Sequence, residues 1–519
     1  MPQNFIESRR EQGFLLPPDV RDWLPSDHLA WFVIDAVAGM DLSAFYAAYR
    51  ADGRGRAAYE PSVMVTLVLY SVATGVRSSR QIEGHCRQDV AFRVITGNLV
   101  PDHATVSRFI CRHERALADL FNEVLRLCDQ AGLVKSELVA IDGTRLAGSA
   151  NSDSTRVFEQ IALEILAELR ETDEAEDREH GDARGDELPE QLRTPEGRRE
   201  FFRDAKLKLQ RELSDEPLTD DEQPQDEPRA RQVELRFDEQ RIVSRTQGRQ
   251  GWRREARRQL EQHRSSDPDP VPRSRLERLL IAAERLEQEL ETDLCANREY
   301  ELARERRRQI GGHRVGGPPK PFVAPALPDG KVNVTDPDSR RLKAREGYIQ
   351  GFNAQAVVDE GQIVLAAEIT NANTDWSHLD PMLTAALTEF QHAGVRGRIQ
   401  TALADAQYWN EEHMDEVIAN KHIQVLIPPD GSASGKQRAG WQGGRYTWMR
   451  TVLASDHGGD LYRKRKHMIE PVFGHTRHNR GVTRFLRRGR SAVRTEWRLL
   501  MATHNLTKLH RHQIATAGA

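Results

Sequence analysis

Three carboxylates in this chain, those of Asp142, Asp405 and Glu470, have surroundings that suit the binding of divalent metal ions. Asp142 and Asp405 each follow an apolar run that predicts a strand, so a sheet can bring the two side chains together. Glu470 lies on a predicted helix, a third element that can close the site. Metal-assisted cleavage of a phosphodiester needs several carboxylates that converge on one point. Oxygen ligands of this kind favour Mg²⁺, with Mn²⁺ as a substitute, over metals that prefer Cys or His.

Each of the three acids also has a simpler interpretation. Asp142 precedes Gly143, and an Asp-Gly pair at a strand end commonly forms a turn. Asp405 lies within the small-residue run ALADAQYW, where no turn is predicted. Glu470 has Ile469 and Pro471 as neighbours, so the pattern predicts a carboxylate among apolar side chains at a helix kink. The last two acids are therefore the more informative.

Positive charge is concentrated around Glu470. Residues 461–490 contain ten Lys or Arg residues and one acid, Glu470 itself. Helical spacing places Lys466 and Arg477 on the face of Glu470. The alternative is a basic helix with an incidental ion pair. We predict that four cations of this region hold DNA phosphates: Lys466, Arg477, Arg480 and Arg484.

The N-terminal 130 residues are predicted to be helical. A short helix ends at Gly97, and a second begins near Asp102 and carries Arg108 and Arg112. This arrangement resembles a helix-turn-helix, which would bind DNA through the second helix. An ordinary helical hairpin fits the same pattern. The net charge of the whole chain is only −4, so local charge must decide whether DNA is a partner.

The rest of the chain divides into an α/β part, residues 131–156 plus 333–510, and an insertion, residues 157–332. Between residues 181 and 230, 24 of 50 residues are charged, and leucines recur at helical spacing in later stretches of the insertion. The insertion is therefore predicted to be helical, with a Pro/Gly linker at its end. Outside it, the order of elements predicts a mixed five-stranded sheet flanked by helices, as in an RNase H-like domain.

The sequence also indicates a compartment. The four cysteines form no CxxC pair, so neither a zinc site nor a disulfide framework is predicted, as expected in a reducing cytoplasm. The N-terminus MPQNFIESRR is too polar for a signal peptide. The longest apolar stretch, Val63–Val76, is too short to span a bilayer. We expect a cytoplasmic protein, associated with the nucleoid if it binds DNA.

Several blocks of the sequence resemble the motifs of bacterial insertion-sequence transposases with a D-D-E triad. In the α/β part these blocks are AIDGTRLAGSAN, VTDPDSRRLKAREGYIQGFNAQAVVDE, ALADAQYW and IEPVFGHTRHNRGVTRFLRRG. In the N-terminal part they are FLLPPDVRDWLPSDHLAWFV, YEPSVMVTLVLYSVATGVRSSRQIE and PDHATVSRF. The resemblance covers about residues 1–156 and 330–508 in the same order, and omits only the charged insertion.

The resemblance implies an RNase H-like catalytic core, dependence on Mg²⁺, and cleavage and joining of DNA at the ends of a transposable element. It assigns the triad to Asp142, Asp405 and Glu470. Related enzymes carry a Tyr, an Arg and a Lys around the Glu, and this chain has Tyr462, Lys466 and Arg477 near those places, with the basic types exchanged.

The expected protein therefore binds terminal inverted repeats and double-stranded target DNA as a homodimer or higher assembly. The alternatives are a metal-dependent nuclease that cuts without joining and a DNA-binding regulator derived from an inactive transposase.

Overall fold

The fold was obtained as a computed structural model. The structure describes residues 20–49, 57–180, 275–309, 328, 330–344, 347–431 and 441–517. The N-terminal region is helical, as predicted. After a 3₁₀ turn at Val20–Trp23 come α1 (Leu29–Ala38), α2 (Ser43–Tyr46), α3 (Pro61–Ala73), α4 (Ser79–Gln88), α5 (Val90–Thr96), α6 (His103–Arg112) and α7 (Glu114–Gln130).

Local signals in the sequence account for the ends of these helices. Pro61 occupies the first turn of α3, where its missing N–H is not needed. Asp89 caps α5 by accepting from the backbone N–H groups of Ala91 and Phe92, and Gly97 ends that helix in the left-handed conformation. Asp102 caps α6 through the N–H of Thr105. The two helices of the predicted helix-turn-helix are therefore α5 and α6.

The strands form one mixed sheet and one small separate sheet. They are β1 (Leu138–Ala147), β2 (Thr155–Val157), β3 (Lys331–Asn333), β4 (Arg340–Ala344), β5 (Gly347–Asp359), β6 (Val364–Thr370), β7 (Thr401–Leu403) and β8 (Gln424–Leu426). The main sheet has the order β4-β5-β1-β7-β8, and β6 pairs with β5 beyond the end of β4. β1 is antiparallel to β5 and parallel to β7, and β7 is parallel to β8.

This sheet has six strands, and the prediction of five is wrong by one. The additional strand is β4, whose sequence RRLKA contains a single buried apolar side chain, that of Leu342. With so little apolar alternation, the sequence gives no strand signal there. Pairing with the start of β5 supplies the backbone hydrogen bonds that define β4.

Helices cover the sheet and extend away from it. They are α8 (Phe158–His180), α9 (Arg275–Gln309), α10 (Leu379–Ala393), α11 (Glu411–Glu416), α12 (Gly444–Ala454), α13 (Asp456–Gly474) and α14 (Arg490–Ala517). The last of these packs against α7, α3 and β6, and so joins the N-terminal helices to the sheet. The buried Arg498 of α14 donates to Glu389 of α10 at 2.7 Å. Among the described residues, no helix is long and apolar enough to cross a membrane.

The described part of the predicted insertion contributes no strand to the main sheet, although Glu289 of α9 is ion-paired with Arg340 of the edge strand β4. α8 and α9 pack together around a small apolar cluster, which includes Phe158, Ile161 and Leu279. At its base, β2 pairs with β3 in the separate two-stranded sheet. Residues 181–274 and 310–327 of the predicted insertion lie outside the described residues. The domain boundaries therefore remain a prediction.

The Asp142-Gly143 pair does not form a turn, because β1 continues through it to Ala147. Gly143 is needed for a different reason. A Cβ atom there would lie 2.2 Å from Nε2 of Gln355 and 2.8 Å from Oδ1 of Asp375. Glycine is therefore required by the close approach of polar side chains on one face of the sheet.

Candidate active site

Asp142 on β1 and Asp405, two residues beyond the end of the neighbouring parallel strand β7, lie near each other. The register pairs Leu138 with Thr401 and Ala140 with Leu403. Asp142 follows Ala140 by two residues, and Asp405 follows Leu403 by two residues. Continuing the same register therefore brings Asp405 next to Asp142. Adjacent strands are about 4.8 Å apart, which is a spacing that lets both carboxylates reach one point. The structure thus brings together two of the three predicted acids.

Asp142 is held by two donors and retains some exposure to solvent. Its Oδ1 accepts from the backbone N–H of Gly143 at 2.8 Å, and its Oδ2 accepts from Nη1 of Arg465 at 2.8 Å. The side chain is 22% exposed. Burial raises the pKa of Asp142 to about 6; Arg465 lowers it in part, and the nearby charge of Asp405 raises it. The ionised form of this carboxylate is therefore incompletely compensated by the protein.

Asp405 begins a 3₁₀ turn directly after β7. Its Oδ1 accepts from the backbone N–H of Gln407 at 2.8 Å, which fixes the carboxylate at the N-terminus of that turn. Burial raises the pKa of Asp405, the hydrogen bond from Gln407 lowers it, and the charge of Asp375 raises it. Both aspartates thus carry raised pKa values in the same place, a pattern common at functional sites.

Arg465 is a member of this cluster that the sequence interpretation missed. It projects from α13 with a side chain only 11% exposed, and pairs with Asp142. Its guanidinium also lies 5.9 Å from the ring centroid of Tyr462. The signal for it was present, because Arg465 falls at helical spacing from the buried Met468, Ile469 and Val472. An arginine on the apolar stripe of a helix requires a carboxylate partner.

A second missed group lies on the other face of the sheet, around Asp375. Its Oδ1 accepts from Nδ2 of Asn353 at 2.7 Å and from Nε2 of Gln355 at 2.6 Å. The Tyr408 hydroxyl donates in turn to Oε1 of Gln355. Nη2 of Arg145 lies 3.7 Å from Oδ2 of Asp375. This network joins β1, β5 and the turn after β7, and so holds the strands that carry the aspartate pair.

Glu470 does not join the two aspartates in this structure. It is exposed on α13, and has no hydrogen-bond or ion-pair partner among the described residues. Five residues separate it from Arg465, which places the two side chains about 140° apart around the helix. In the described part of the chain, no group of three His, Cys, Asp or Glu side chains could hold a metal ion. The predicted burial of Glu470 among apolar neighbours is wrong, because the helix continues through Pro471 and turns this carboxylate outward.

The predicted DNA-binding cations in the C-terminal half have different surroundings. Lys466 and Arg484 are exposed. Arg477 is partly buried and donates to the backbone carbonyl of Arg145 at 2.7 Å. Arg480 is only 6% exposed and donates to the Leu500 carbonyl and the Thr503 hydroxyl. Burial lowers the pKa of Arg480 to about 10. In this conformation the Arg480 side chain is not available to a phosphate.

The two predicted cations of α6 are both on the surface. Arg108 is exposed and donates to the Thr105 hydroxyl at 3.3 Å. Arg112 donates to the carbonyl of Ala48 and lies over the ring of Tyr49 at 5.0 Å. Arg108 therefore presents more of its charge to a ligand than Arg112 does.

The fold and the site together define an α/β protein with an aspartate pair on neighbouring strands and a cation-rich helix beside it. Comparison with protein families shows what two segments of the chain are similar to. Residues 18–112 match the family described as Transposase domain (DUF772), and residues 437–510 match the family described as Transposase DDE domain. The two matches confirm the resemblance to insertion-sequence DDE transposases, which are enzymes that act on DNA.

The two matched segments contain part of the candidate site. The first includes helices α1 to α6, and the second includes α12, α13 and most of α14. Glu470 and Arg465 lie in the second segment, whereas Asp142 and Asp405 lie outside both. Comparison with curated proteins and with solved structures gives no match.

Proposed function

We propose that this transposase binds the terminal inverted repeats of its own insertion sequence and carries out metal-dependent cleavage and strand transfer of DNA. Asp142, Asp405 and Glu470 form its catalytic triad in this proposal. The observation that carries it is the aspartate pair: one carboxylate on β1 and one just beyond the end of the adjacent parallel strand β7. Segments that match transposase families lie on both sides of the pair in the sequence. The protein would act in the cytoplasm, at the nucleoid.

The strand order supports an RNase H-like assignment for the catalytic domain. Three antiparallel strands, β6, β5 and β1, are followed by the parallel strands β7 and β8 on the other side of β1. The first aspartate lies on the central strand β1, and the second follows the neighbouring β7. The sequence predicted the order of these elements along the chain, and β4 is an additional strand at the edge of the sheet.

The residues present suit a divalent cation. The aspartate pair supplies hard oxygen donors. Burial is the main cause of the raised pKa values of Asp142 and Asp405, and the nearby cations, Arg465 and for Asp405 also Arg145, lower these values only in part. Asp142 and Asp405 would hold Mg²⁺ or Mn²⁺, with Glu470 as the third ligand. When bound, such ions activate a nucleophile and stabilise the charge on the leaving oxygen.

Glu470 must change its surroundings for this proposal to hold. Arg465, rather than Glu470, is the α13 residue that contacts Asp142. We include Glu470 because it is in the segment matched to the DDE family, and because its exposed carboxylate has no competing partner among the described residues. The active arrangement would then require α13 to shift its contact with β1, so that Arg465 releases Asp142. A phosphate of the substrate DNA can replace Asp142 as the ion-pair partner of Arg465.

Cations outside the aspartate pair would hold the DNA backbone. We propose Lys466, Arg477 and Arg484 for this role near the site, and Arg108 with Arg112 on α6. Arg480 is left out because its side chain is buried and its Nη1 donates inside the protein. Cleavage of two element ends in one reaction requires at least two active sites, so a homodimer or higher assembly is expected.

Asp405→Asn tests the catalytic proposal. The substitution preserves size and removes the charge, so cleavage of a plasmid carrying the element ends in Mg²⁺ should fall more than about 100-fold, the upper range for loss of an outer partner of a metal ligand. Binding of the ends should persist. Asp415→Asn is the matched control, since Asp415 pairs with Arg445 away from the strand pair. Cleavage by Asp405→Asn at the wild-type rate would contradict the mechanism.

The same assays separate the two alternatives. Wild-type protein that cuts the ends but does not join pre-cleaved ends to target DNA would be a nuclease. Wild-type protein that binds the ends and never cuts them in Mg²⁺ or Mn²⁺ would be a regulator.

A further inference from the structure

The hairpin formed by β4 and the start of β5 extends past the end of β1. Its register pairs Arg341 with Gln350 and Lys343 with Tyr348. Leu342, between the two cations, is fully buried, whereas Arg341, Lys343 and Tyr348 are exposed. The hairpin therefore has one face packed on the protein and one face directed to solvent.

The solvent face of this hairpin lies on the same side of the sheet as Asp142. Side chains alternate along β5, so Tyr348 and Gln350 share a face with Ala356. Ala356 pairs with Asp142, and paired residues point to the same side. From Gln350 to Ala356 the strand advances about 20 Å. That length corresponds to about six base pairs of duplex DNA, at 3.4 Å per step.

The exposed face is cationic and aromatic. The Arg341 guanidinium lies 4.6 Å from the ring centroid of Tyr348, whose side chain is 62% exposed. No carboxylate in the described part of the chain pairs with Arg341 or Lys343. Arg340, on the packed side, is ion-paired with Glu289. Unpaired charge is thus confined to the solvent face.

We propose that the hairpin face formed by Arg341, Lys343 and Tyr348 binds the phosphate backbone of double-stranded DNA, on the flank of the duplex engaged at the aspartate pair. This proposal rests on the proposed function, which supplies the duplex. The hairpin and Asp142 lie on the same side of the sheet, about 20 Å apart along β5, and the buried Gln350, Phe352 and Ala354 lie between them. The unpaired charge and the exposed ring suit phosphate and sugar contacts, which position DNA without reading its sequence.

The test compares the double variant Arg341→Ala/Lys343→Ala with Arg396→Ala/Arg398→Ala. The control pair is also exposed and also removes two charges, but it precedes β7 at the end of the strand opposite to Asp405. Binding to a duplex from the DNA that brackets the reading frame, and to a shuffled duplex of equal length, is measured by fluorescence anisotropy across KCl concentrations. The hairpin variant should lose affinity equally for both duplexes, with a log–log salt slope shallower by about 2. The control should match the wild type.

Tyr348 gives a finer test of the same surface. Tyr348→Ala removes the ring that orients Arg341 and should weaken binding, whereas Tyr348→Phe keeps the ring and should bind like the wild type. Thermal unfolding verifies that each variant is folded.

Equal salt slopes for the hairpin and control variants would overturn the proposal. Wild-type affinity of the hairpin variant for DNA would overturn it as well. Loss of self-association with intact DNA binding would assign the face to a second copy of the chain and also overturn it.

The outcomes distinguish this proposal from the catalytic one. If the wild type cleaves the ends and the hairpin variant binds normally, the hairpin contact is wrong and the catalytic function stands. If the wild type never cleaves but the hairpin variant alone has the shallower slope, the contact stands and the catalytic function is wrong.

Discussion

The aspartate pair and Glu470 belong to the same predicted triad, yet the fold treats them differently. Asp142 and Asp405 are placed by backbone register between two parallel strands, and each accepts a backbone hydrogen bond that fixes its carboxylate. Glu470 is placed only by the rotation of α13, and its carboxylate is exposed. The register of a strand fixes the face of the sheet on which a side chain lies. On a helix, neighbouring residues are rotated by 100° about the axis, so the direction of a side chain depends on how the whole helix is turned.

The difference indicates which part of the site is preorganised. The strand-borne pair is backed by the Asp375 network on the other face of the sheet. The helix presents Arg465 to Asp142 instead of an acid. The two aspartates are thus ready to bind a cation, whereas the third ligand depends on how α13 is seated. The experiments below test this contrast, from the largest expected effect to the smallest.

The strongest test compares Asp142→Asn with Glu470→Gln. If Glu470 completes the active site, both substitutions should reduce Mg²⁺-dependent cleavage more than about 100-fold. Asp460→Asn on the same helix, an exposed acid paired with Arg463, should have no effect. Cleavage rates at saturating DNA provide the measurement. Wild-type activity in Glu470→Gln, together with an inactive Asp142→Asn, would remove Glu470 from the triad and leave the strand pair intact.

The rigidity of the strand region can be tested at Gly143. Alanine there would collide with Gln355 and Asp375, so Gly143→Ala should lower the free energy of unfolding by about 1–3 kcal/mol, the usual cost of overpacking. Gly84→Ala is the matched control, because no atom lies within 4 Å of a Cβ added to this glycine in α4. That substitution should stabilise the protein by about 0.5–1 kcal/mol. Urea unfolding measures both, and equal effects would contradict the close approach at Gly143.

The raised pKa of Asp142 predicts how stability depends on pH in metal-free protein. The pKa is about 6 in the folded state and 3.8 for the ordinary group, so between these values the folded state binds more protons. The free energy of unfolding should therefore fall as pH rises from about 4 to about 6. Asp142→Asn should remove on the order of 1–2 kcal/mol of this fall. Urea unfolding in EDTA across this range measures it, with Asp415→Asn as the exposed control. An unchanged pH dependence in Asp142→Asn would contradict the assignment.

The smallest effect is expected at Arg484, an exposed side chain on a segment fixed by its bridge to Ala147. Arg484→Ala should weaken DNA binding and make the salt slope shallower by about 1, as for one lost phosphate contact. Cleavage at saturating DNA should be retained, because the aspartate pair is untouched. Arg396→Ala is the control, measured in the same anisotropy titrations. A normal salt slope with reduced cleavage would place Arg484 in catalysis instead of binding.

Much of the fold could be predicted because its signals are local. Apolar runs identified the strands that precede Asp142 and Asp405, and these are β1 and β7. The nearness of Asp142 and Asp405 followed from two acids that each come directly after an apolar run. The orientation of Glu470 was predicted wrongly because the prediction followed its sequence neighbours, whereas the phase of α13 is set by the buried Met468, Ile469 and Val472. The burial of Arg480 depends on acceptors in α14 that are 20 and 23 residues away in sequence.

The pairing of β2 with β3 has a practical consequence. Thr155 lies opposite Asn333, so the chain leaves the α/β part and returns to it at one spot, whatever lies between. Because the chain enters and leaves at adjacent positions, the segment between them can be replaced by another of different length. The entropic cost of closing a loop grows only slowly with its length. A reporter protein with neighbouring termini could be spliced between α8 and α9 without altering the strands that carry the aspartates. Such a fusion would allow the protein to be followed in cells while the strands that carry the aspartates are left unchanged.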